Sequence, residues 1–325
     1  MSITFARRVS SIMAIKNQKI QVVVSNFEIG AGKIGASEGP LALIDALKQL
    51  DLEFESPILL NNNSNSIGES NTPFCKHIFE IEKASNLLNS EIENQLSQNK
   101  FPLILSGDHS NAIGGISGVK NAYPDKRIGV IWVDAHADLH SPYTTPSGNM
   151  HGMPLAALIS TDNMKFQKNQ ISEQESEAWN RLKSIGSKSI APKIKPEDIV
   201  FIGIRDAEKE EWGLIEEFGI KTFEPHDIKE HGIFYAINNA LKHLEPCDLI
   251  YVSFDVDSMD PSISIGTGTT SPDGLSFVEA EAVFKSFLNH PKLVAFEITE
   301  INPSLDQEGD KMANVVASLL NYGLK

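Results

Sequence analysis

Thiol is scarce in this chain of 325 residues: Cys75 and Cys247 are its two cysteines, and they lie far apart. That is too few for a disulfide framework or a thiolate metal site, so both are expected as reduced thiols in a cytoplasmic protein. Net positive charge is missing too. Against 28 Lys and Arg stand 43 Asp and Glu, a formal balance of -15. That argues against nucleic acid or anionic membrane as a partner. It fits a small cationic substrate, and solubility accounts for it equally well. No apolar run approaches the roughly 20 residues needed to span a bilayer. Arg7 and Arg8 precede a short apolar stretch that soon meets Lys16, which makes a poor secretory signal. No repeat, Pro- or Gly-rich linker, or composition break divides the chain, so residues 1–325 are expected to form a single domain.

What is present is an alternation. Gln21 to Ser25, Phe101 to Ser106, Ile128 to Val133, Val200 to Ile204, Leu249 to Phe254 and Leu293 to Ile298 are short runs, mostly apolar and β-branched. Such runs suit strands covered on both faces. Gly39 to Leu50, Cys75 to Gln98, Met150 to Ser160, Ala207 to Phe218, Gly232 to Leu244 and Ser276 to Asn289 have helical spacing. Strands alternating with helices predict an α/β fold with a mostly parallel sheet. Asn61 to Thr72 reads as an exposed loop. Thr161 to Pro196 reads as a polar surface excursion with a short helix around Glu173 to Leu182.

The chemistry lies where acids and histidines follow strands. Gly107-Asp108-His109-Ser110 follows the run ending at Ser106. Asp134-Ala135-His136-Ala137-Asp138 follows Val133. Asp255-Val256-Asp257 follows Phe254. Ligands of open parallel sheets bind at that C-terminal edge. In extended chain, Asp134, His136 and Asp138 would face one side together, as would Asp255 and Asp257. With His109 the set is four carboxylates and two imidazoles, and its -4 balances two divalent cations. Carboxylates with some imidazole suit Mn(II), with Co(II) or Zn(II) plausible. A lone Asp after a strand is usually a turn residue or cap. Three such clusters at three strand ends are harder to explain without a metal, because buried acids repel one another.

These motifs, with Ser258-Met259-Asp260-Pro261 completing the third, resemble the signatures of the ureohydrolases: arginase, agmatinase and formimidoylglutamase. The likeness runs from Gly35-Ala36-Ser37-Glu38-Gly39-Pro40 to the terminal helix. It implies a three-layer α/β/α sandwich around a mostly parallel eight-stranded sheet, and commonly a binuclear manganese centre. It further implies that His109, Asp134, Asp138 and Asp255 hold one metal and that His136, Asp134, Asp255 and Asp257 hold the other. Asp134 and Asp255 then bridge. Asp260 is expected to be structural, starting an Asp-Pro turn.

The stretch Ser147-Gly148-Asn149-Met150-His151-Gly152 resembles bacterial arginases in particular, since agmatinases keep the His-Gly but lack the Ser-Gly-Asn lead. Ser147 and Asn149 can donate to the α-carboxylate that distinguishes arginine from agmatine. Gly203-Ile204-Arg205-Asp206-Ala207-Glu208 resembles the family's Gly-x-Arg-Asp-x-Asp element. Glu208 stands where an Asp usually meets the α-ammonium group. His140 stands where arginases commonly have Asn near the substrate carboxylate, and Ser106 replaces the usual Gly of the first motif.

By the same resemblance Glu300 pairs with the guanidinium, His151 shuttles protons, and Asp138 relays a proton to the leaving amine. Thr269 is expected to contact the substrate or a metal-bound carboxylate. The implied reaction is hydrolysis of L-arginine to L-ornithine and urea, by hydroxide generated between the two metals. Another guanidino or formimino hydrolase is the nearest alternative. A non-catalytic arginine-binding protein is disfavoured by the intact ligand set and Glu300. A homotrimer or homohexamer is the family's expectation.

Overall fold

The computed structural model describes residues 14–15, 18–50, 52, 54–60, 70–307 and 309–325. Most of the loop expected from Asn61 to Thr72 therefore lies outside the described residues. Eight strands run parallel: β2 (Gln18–Ser25), β3 (Ile58–Leu60), β4 (Phe101–Ser106), β5 (Ile128–Val133), β6 (Ile199–Ile202), β7 (Lys221–Phe223), β8 (Leu249–Asp255) and β9 (Leu293–Thr299). A two-residue strand, β1 (Ala14–Ile15), adds an antiparallel pairing to β2. From β2 the sheet runs β2-β4-β9-β8-β5-β6-β7, and β3 also pairs with β2.

That order decides where the site lies. The chain passes from β4 to β5, skipping two positions that β8 and β9 fill later. The three motif-bearing strands and β9 thus become neighbours, β4-β9-β8-β5, at the centre of the sheet. Strand residues alternate between two cores. Leu103 and Leu105 of β4, and Ile131 and Val133 of β5, face one layer; Ile104, Val130 and Trp132 face the other. The first layer is closed by α1 (Gly39–Gln49), α8 (Ile233–His243), α9 (Phe277–Leu288) and α10 (Lys311–Gly323). The second is closed by α2 (Ile78–Ser97), α3 (Ala112–Ala122), α4 (Pro154–Leu158) and α6 (Lys209–Phe218). This is the expected three-layer sandwich.

Differences from the sequence reading have local causes. The helix expected from Met150 to Ser160 is a 3-10 turn at Met150–Gly152 followed by α4, because Pro154 has no N–H to continue a helix but suits a first turn. β6 stops at Ile202, where Gly203 takes a φ of +94°. β3, β7 and the seven-residue α7 (Pro225–His231) are too short to show a period in sequence. The segment Thr161 to Pro196 is more than a surface excursion. Its helix α5 (Glu173–Lys183) starts at a capping box between Ser172 and Glu175, and it buries Ala178, Trp179 and Leu182 against Ile78, Ile81 and Ala84.

Candidate metal centre and substrate cleft

Asp134, His136 and Asp138 converge, but not as extended chain. β5 ends at Val133, and Asp138 turns into the left-handed region with φ +52°. Asp257 likewise lies in a 3-10 turn, Val256–Ser258, whose cap is Asp255; the Asp255 carboxylate accepts from the Asp257 amide at 2.8 Å. Tight turns at strand ends, not the strand period, aim these carboxylates. Glu300, just past β9, also has positive φ, +67°. For a non-glycine such a backbone is costly, of order 1–3 kcal/mol, and it clusters at functional sites.

The ligand atoms form two groups. His109 Nδ1 lies 3.0 Å from Asp134 Oδ2, 3.1 Å from Asp138 Oδ2 and 3.2 Å from Asp255 Oδ2. His136 Nδ1 lies 3.0 Å from Asp257 Oδ2 and 3.5 Å from Asp134 Oδ1. Asp134 belongs to both groups. Asp255 approaches His109 and, through its other oxygen, the Asp257 amide.

Whether these residues fit metals is tested by their unused valences. His109 Nδ1 and Asp134 Oδ2 are buried and near each other, yet neither makes an aligned hydrogen bond. The other imidazole nitrogen explains the tautomer. His109 Nε2 is 2.8 Å from Ser253 Oγ, and Ser253 spends its one hydroxyl proton on Glu297 Oε2 at 3.0 Å. Nε2 must therefore carry a proton, which leaves Nδ1, turned toward three carboxylates, as the nitrogen that can give its lone pair to a cation. Metal-ligating histidines are held in this way. Glu297 also accepts from Ser106 and Tyr251, at 2.7 and 2.9 Å, so the unusual Ser106 belongs to this buried support. Trp132 stacks on the His109 ring at 4.0 Å.

Without cations this centre retains protons. Burial, then the neighbouring Asp134, pushes the Asp138 carboxyl up to about 6. Burial, with Asp257 and Asp134, holds Asp255 well above the usual carboxylate range. Burial works against charge on His109, yet bonding to Asp134, Asp138 and Asp255 raises it. The donor set and the two orphaned atoms fit a pair of divalent cations.

A cleft of about 280 Å³ opens over this centre, lined by His109, His136, Asp138 and Asp255 together with His140, Ser147, Asn149 and Glu208. A larger cavity of about 560 Å³ lies beside Lys229 and Asp273, but none of the clustered ligand groups found among the described residues lines it. The Ser147–Asn149 loop is seated by Gly148, whose φ is +76° and where a Cβ would lie 1.8 Å from the Pro73 carbonyl oxygen. Lys76 donates to Asn149 Oδ1 at 3.0 Å.

Four residues expected near the substrate have partners within the protein, and for Thr269 that partner is a carboxylate of the expected ligand set. His140 Nε2 lies 3.0 Å from Glu208 Oε2 and 3.5 Å from Glu211 Oε2, so the two unusual residues face each other. The His140 bond holds the half-exposed Glu208 carboxyl down, at about 2. Glu211 is buried and, by burial and then by Glu208, raised well above its usual range. Thr269 donates to Asp257 Oδ2 at 2.9 Å. Glu300 Oε1 takes both His151 Nδ1 and the His109 amide, each at 3.0 Å. Burial would lower His151, but Glu300 raises it to about 9. Asp260 caps its turn as expected, accepting from the Ser262 amide at 3.0 Å.

Sequence reasoning missed Glu211, Glu297, Ser253 and the role of Arg205. The Arg205 guanidinium donates to the carbonyls of Asp257, Ser271 and Pro272 at 2.9, 2.8 and 2.7 Å, pinning the loop that carries Thr269 to the Asp257 turn. The arginine of Gly203-Ile204-Arg205-Asp206, just past β6, was the available signal.

The family described as "Arginase family" matches residues 18–324. The chain is 31% identical over 316 residues to the arginase of Bacillus subtilis (strain 168), with 95% of this chain and 99% of that one covered. It is 30% identical over 324 residues to arginase-1 of Homo sapiens, covering 94% and 91%. The crystal structure of Entamoeba histolytica arginase in complex with L-ornithine superposes with a TM-score of 0.78 at 28% identity, covering 93% of this chain and 98% of that one.

Proposed function

The chain belongs to the arginase family, whose members here are hydrolases of the guanidino C–N bond, and on that premise we propose that it converts L-arginine to L-ornithine and urea with two Mn(II) ions. The observation that carries this reading is the convergence of His109 Nδ1 with Asp134, Asp138 and Asp255, with Asp134 shared by a second group around His136 and Asp257. In the proposed assignment His109, Asp134, Asp138 and Asp255 hold one ion, and His136, Asp134, Asp255 and Asp257 the other. Bound there, two such cations would lower the pKa of a coordinated water and offset charge developing in the transition state.

The chain's own groups do the rest. Asp138 takes a proton from the attacking water and passes it toward the leaving amine, from its place on the cleft beside His109. Glu300 accepts from the guanidinium on the oxygen not already committed, and its bound His151 carries protons between cleft and solvent. Ser147, Asn149 and His140 donate to the α-carboxylate. Glu208 accepts from the α-ammonium, while Thr269 holds Asp257 in place. His140 and Glu208, paired in the absence of substrate, each trade the other for one charge of the amino-acid head group.

One sheet covered on both faces supports a single catalytic domain over residues 1–325. Both cysteines are free and buried, and among the described residues no helix is long and apolar enough to cross a membrane; both fit a cytoplasmic setting. A homotrimer or homohexamer is the assembly proposed by family membership.

Urea release from L-arginine, agmatine, guanidinobutyrate and formimidoylglutamate, each with added Mn(II), tests the reading. L-arginine is expected to win over agmatine, because donors placed for a carboxylate stay unpaired when it is missing. In well-built sites that costs on the order of 10⁴ in specificity. Comparable kcat/KM values for arginine and agmatine would refute the arginine assignment and leave only the wider hydrolase class.

A further inference from the structure

The same cleft is lined by a second convergence of metal-binding groups, distinct from those around His109 and His136. His140 Nε2, a Glu208 oxygen and a Glu211 oxygen lie within 4.8 Å of one another. From His140 Nε2 the two carboxylate oxygens are 3.0 and 3.5 Å away. Tetrahedral Zn(II) with bonds of roughly 2.0–2.2 Å places neighbouring ligand atoms about 3.4 Å apart, so these separations bracket the spacing required. The trio is held in place by the groups around it, including the capping box between Glu208 and Glu211 that starts α6. Thr144 Oγ1 lies 3.1 Å from His140 Nδ1 and orients the ring. Glu211 is held by the amides of Leu139 and Glu208, at 3.0 and 2.9 Å. His140 and Glu211 are buried, while Glu208 is half open to the cleft, giving an ion a way in.

We propose that His140, Glu208 and Glu211 form a third divalent-cation site, suited to Zn(II), whose occupation excludes the amino-acid head of the substrate. One imidazole and two carboxylates neutralise a +2 ion and leave its fourth position to water, a donor set that suits zinc. The ion takes Glu208 and His140 away from the head group, so binding of zinc and of arginine is mutually exclusive. The site itself stands on geometry alone. The competition rests on the substrate reading given above.

The test uses the Mn(II)-loaded full chain. Equilibrium dialysis against Zn(II), with elemental analysis of both metals, is expected to show one additional zinc per chain and no loss of manganese. The variants His140→Asn and Glu208→Gln should each lower that zinc affinity by more than the roughly 10–100-fold typical of losing an outer-shell partner. Glu208 is half exposed, so Glu208→Gln reports on binding rather than folding. In wild type, added zinc should raise the apparent KM for L-arginine without changing kcat. No additional zinc, zinc taken up only in exchange for manganese, or zinc retained equally by both variants would each overturn the site. Additional zinc that leaves the apparent KM unchanged would overturn the competition, and with it the placement of the head group at His140 and Glu208.

Discussion

Ser253→Ala isolates what holds the His109 ring. The hydroxyl accepts from His109 Nε2 at 2.8 Å and donates to Glu297 at 3.0 Å, in a position with no solvent access. Its removal leaves a buried N–H without an acceptor and no space for water to take its place. An orphaned buried donor costs about 1–3 kcal/mol. Loss of an outer partner of a metal-bound histidine typically costs about 10–100-fold in affinity, which is about 1.4–2.8 kcal/mol. The two figures agree because they describe one event: the ring loses the partner that fixes Nε2 as its donor, so Nδ1 is no longer reliably offered to the cation. Glu297 keeps Ser106 and Tyr251 as donors, so the core around it should survive. Mn(II) titration of the apoprotein, read by calorimetry with elemental analysis, is expected to show one site weakened by that factor and the other nearly unchanged. Equal affinities in wild type and variant would refute the relay and the tautomer it assigns.

Other outcomes follow from the same geometry. Asp134→Ala should lose more than one ion per chain by elemental analysis, since Asp134 contacts both ligand groups; retention of two metals would refute its bridging role. His151→Asn should lower kcat by about 10²–10⁴-fold, the usual contribution of a general acid or base, with metal content unchanged. Full activity across pH would rule out the shuttle. In metal-free protein, His151 is raised from 6.5 to about 9, so its contribution to stability is complete below about 6.5 and is lost as pH rises through 9. Metal ligands must be deprotonated, so the stabilisation gained on adding Mn(II) should instead grow over the same interval. Thermal melts at pH 6 to 9, with chelator and with Mn(II), check both signs.

The convergence of the three acid and histidine motifs was legible in sequence because each follows an apolar strand, and the C-terminal ends of neighbouring parallel strands are necessarily close. The reason first given for their alignment was only partly right. Alternation along a strand does not act at Asp138 or Asp257, which tight turns aim. The pairing of His140 with Glu208 was not legible. They are 68 residues apart, and each read as a substrate contact by itself. Glu297 read as one residue in a strand, because nothing local announces that Ser106, Tyr251 and Ser253 arrive from two other strands to donate to it. The short edge strands β3 and β7 carry too few residues to express a period.

The sheet order has a consequence for how this protein comes apart. β4, β9, β8 and β5, which carry the site, are the middle of the sheet, while β3 and β7 at its margins are three residues long. Amides at such margins open in small local fluctuations, whereas central strands exchange their hydrogens only when the whole structure opens. The margins can therefore fray without separating His109 from Asp134 or Asp255. Amide exchange at Leu103, Ile131 and Val252 should proceed at the rate of global opening, and irreversible loss of the metal centre should keep pace with it.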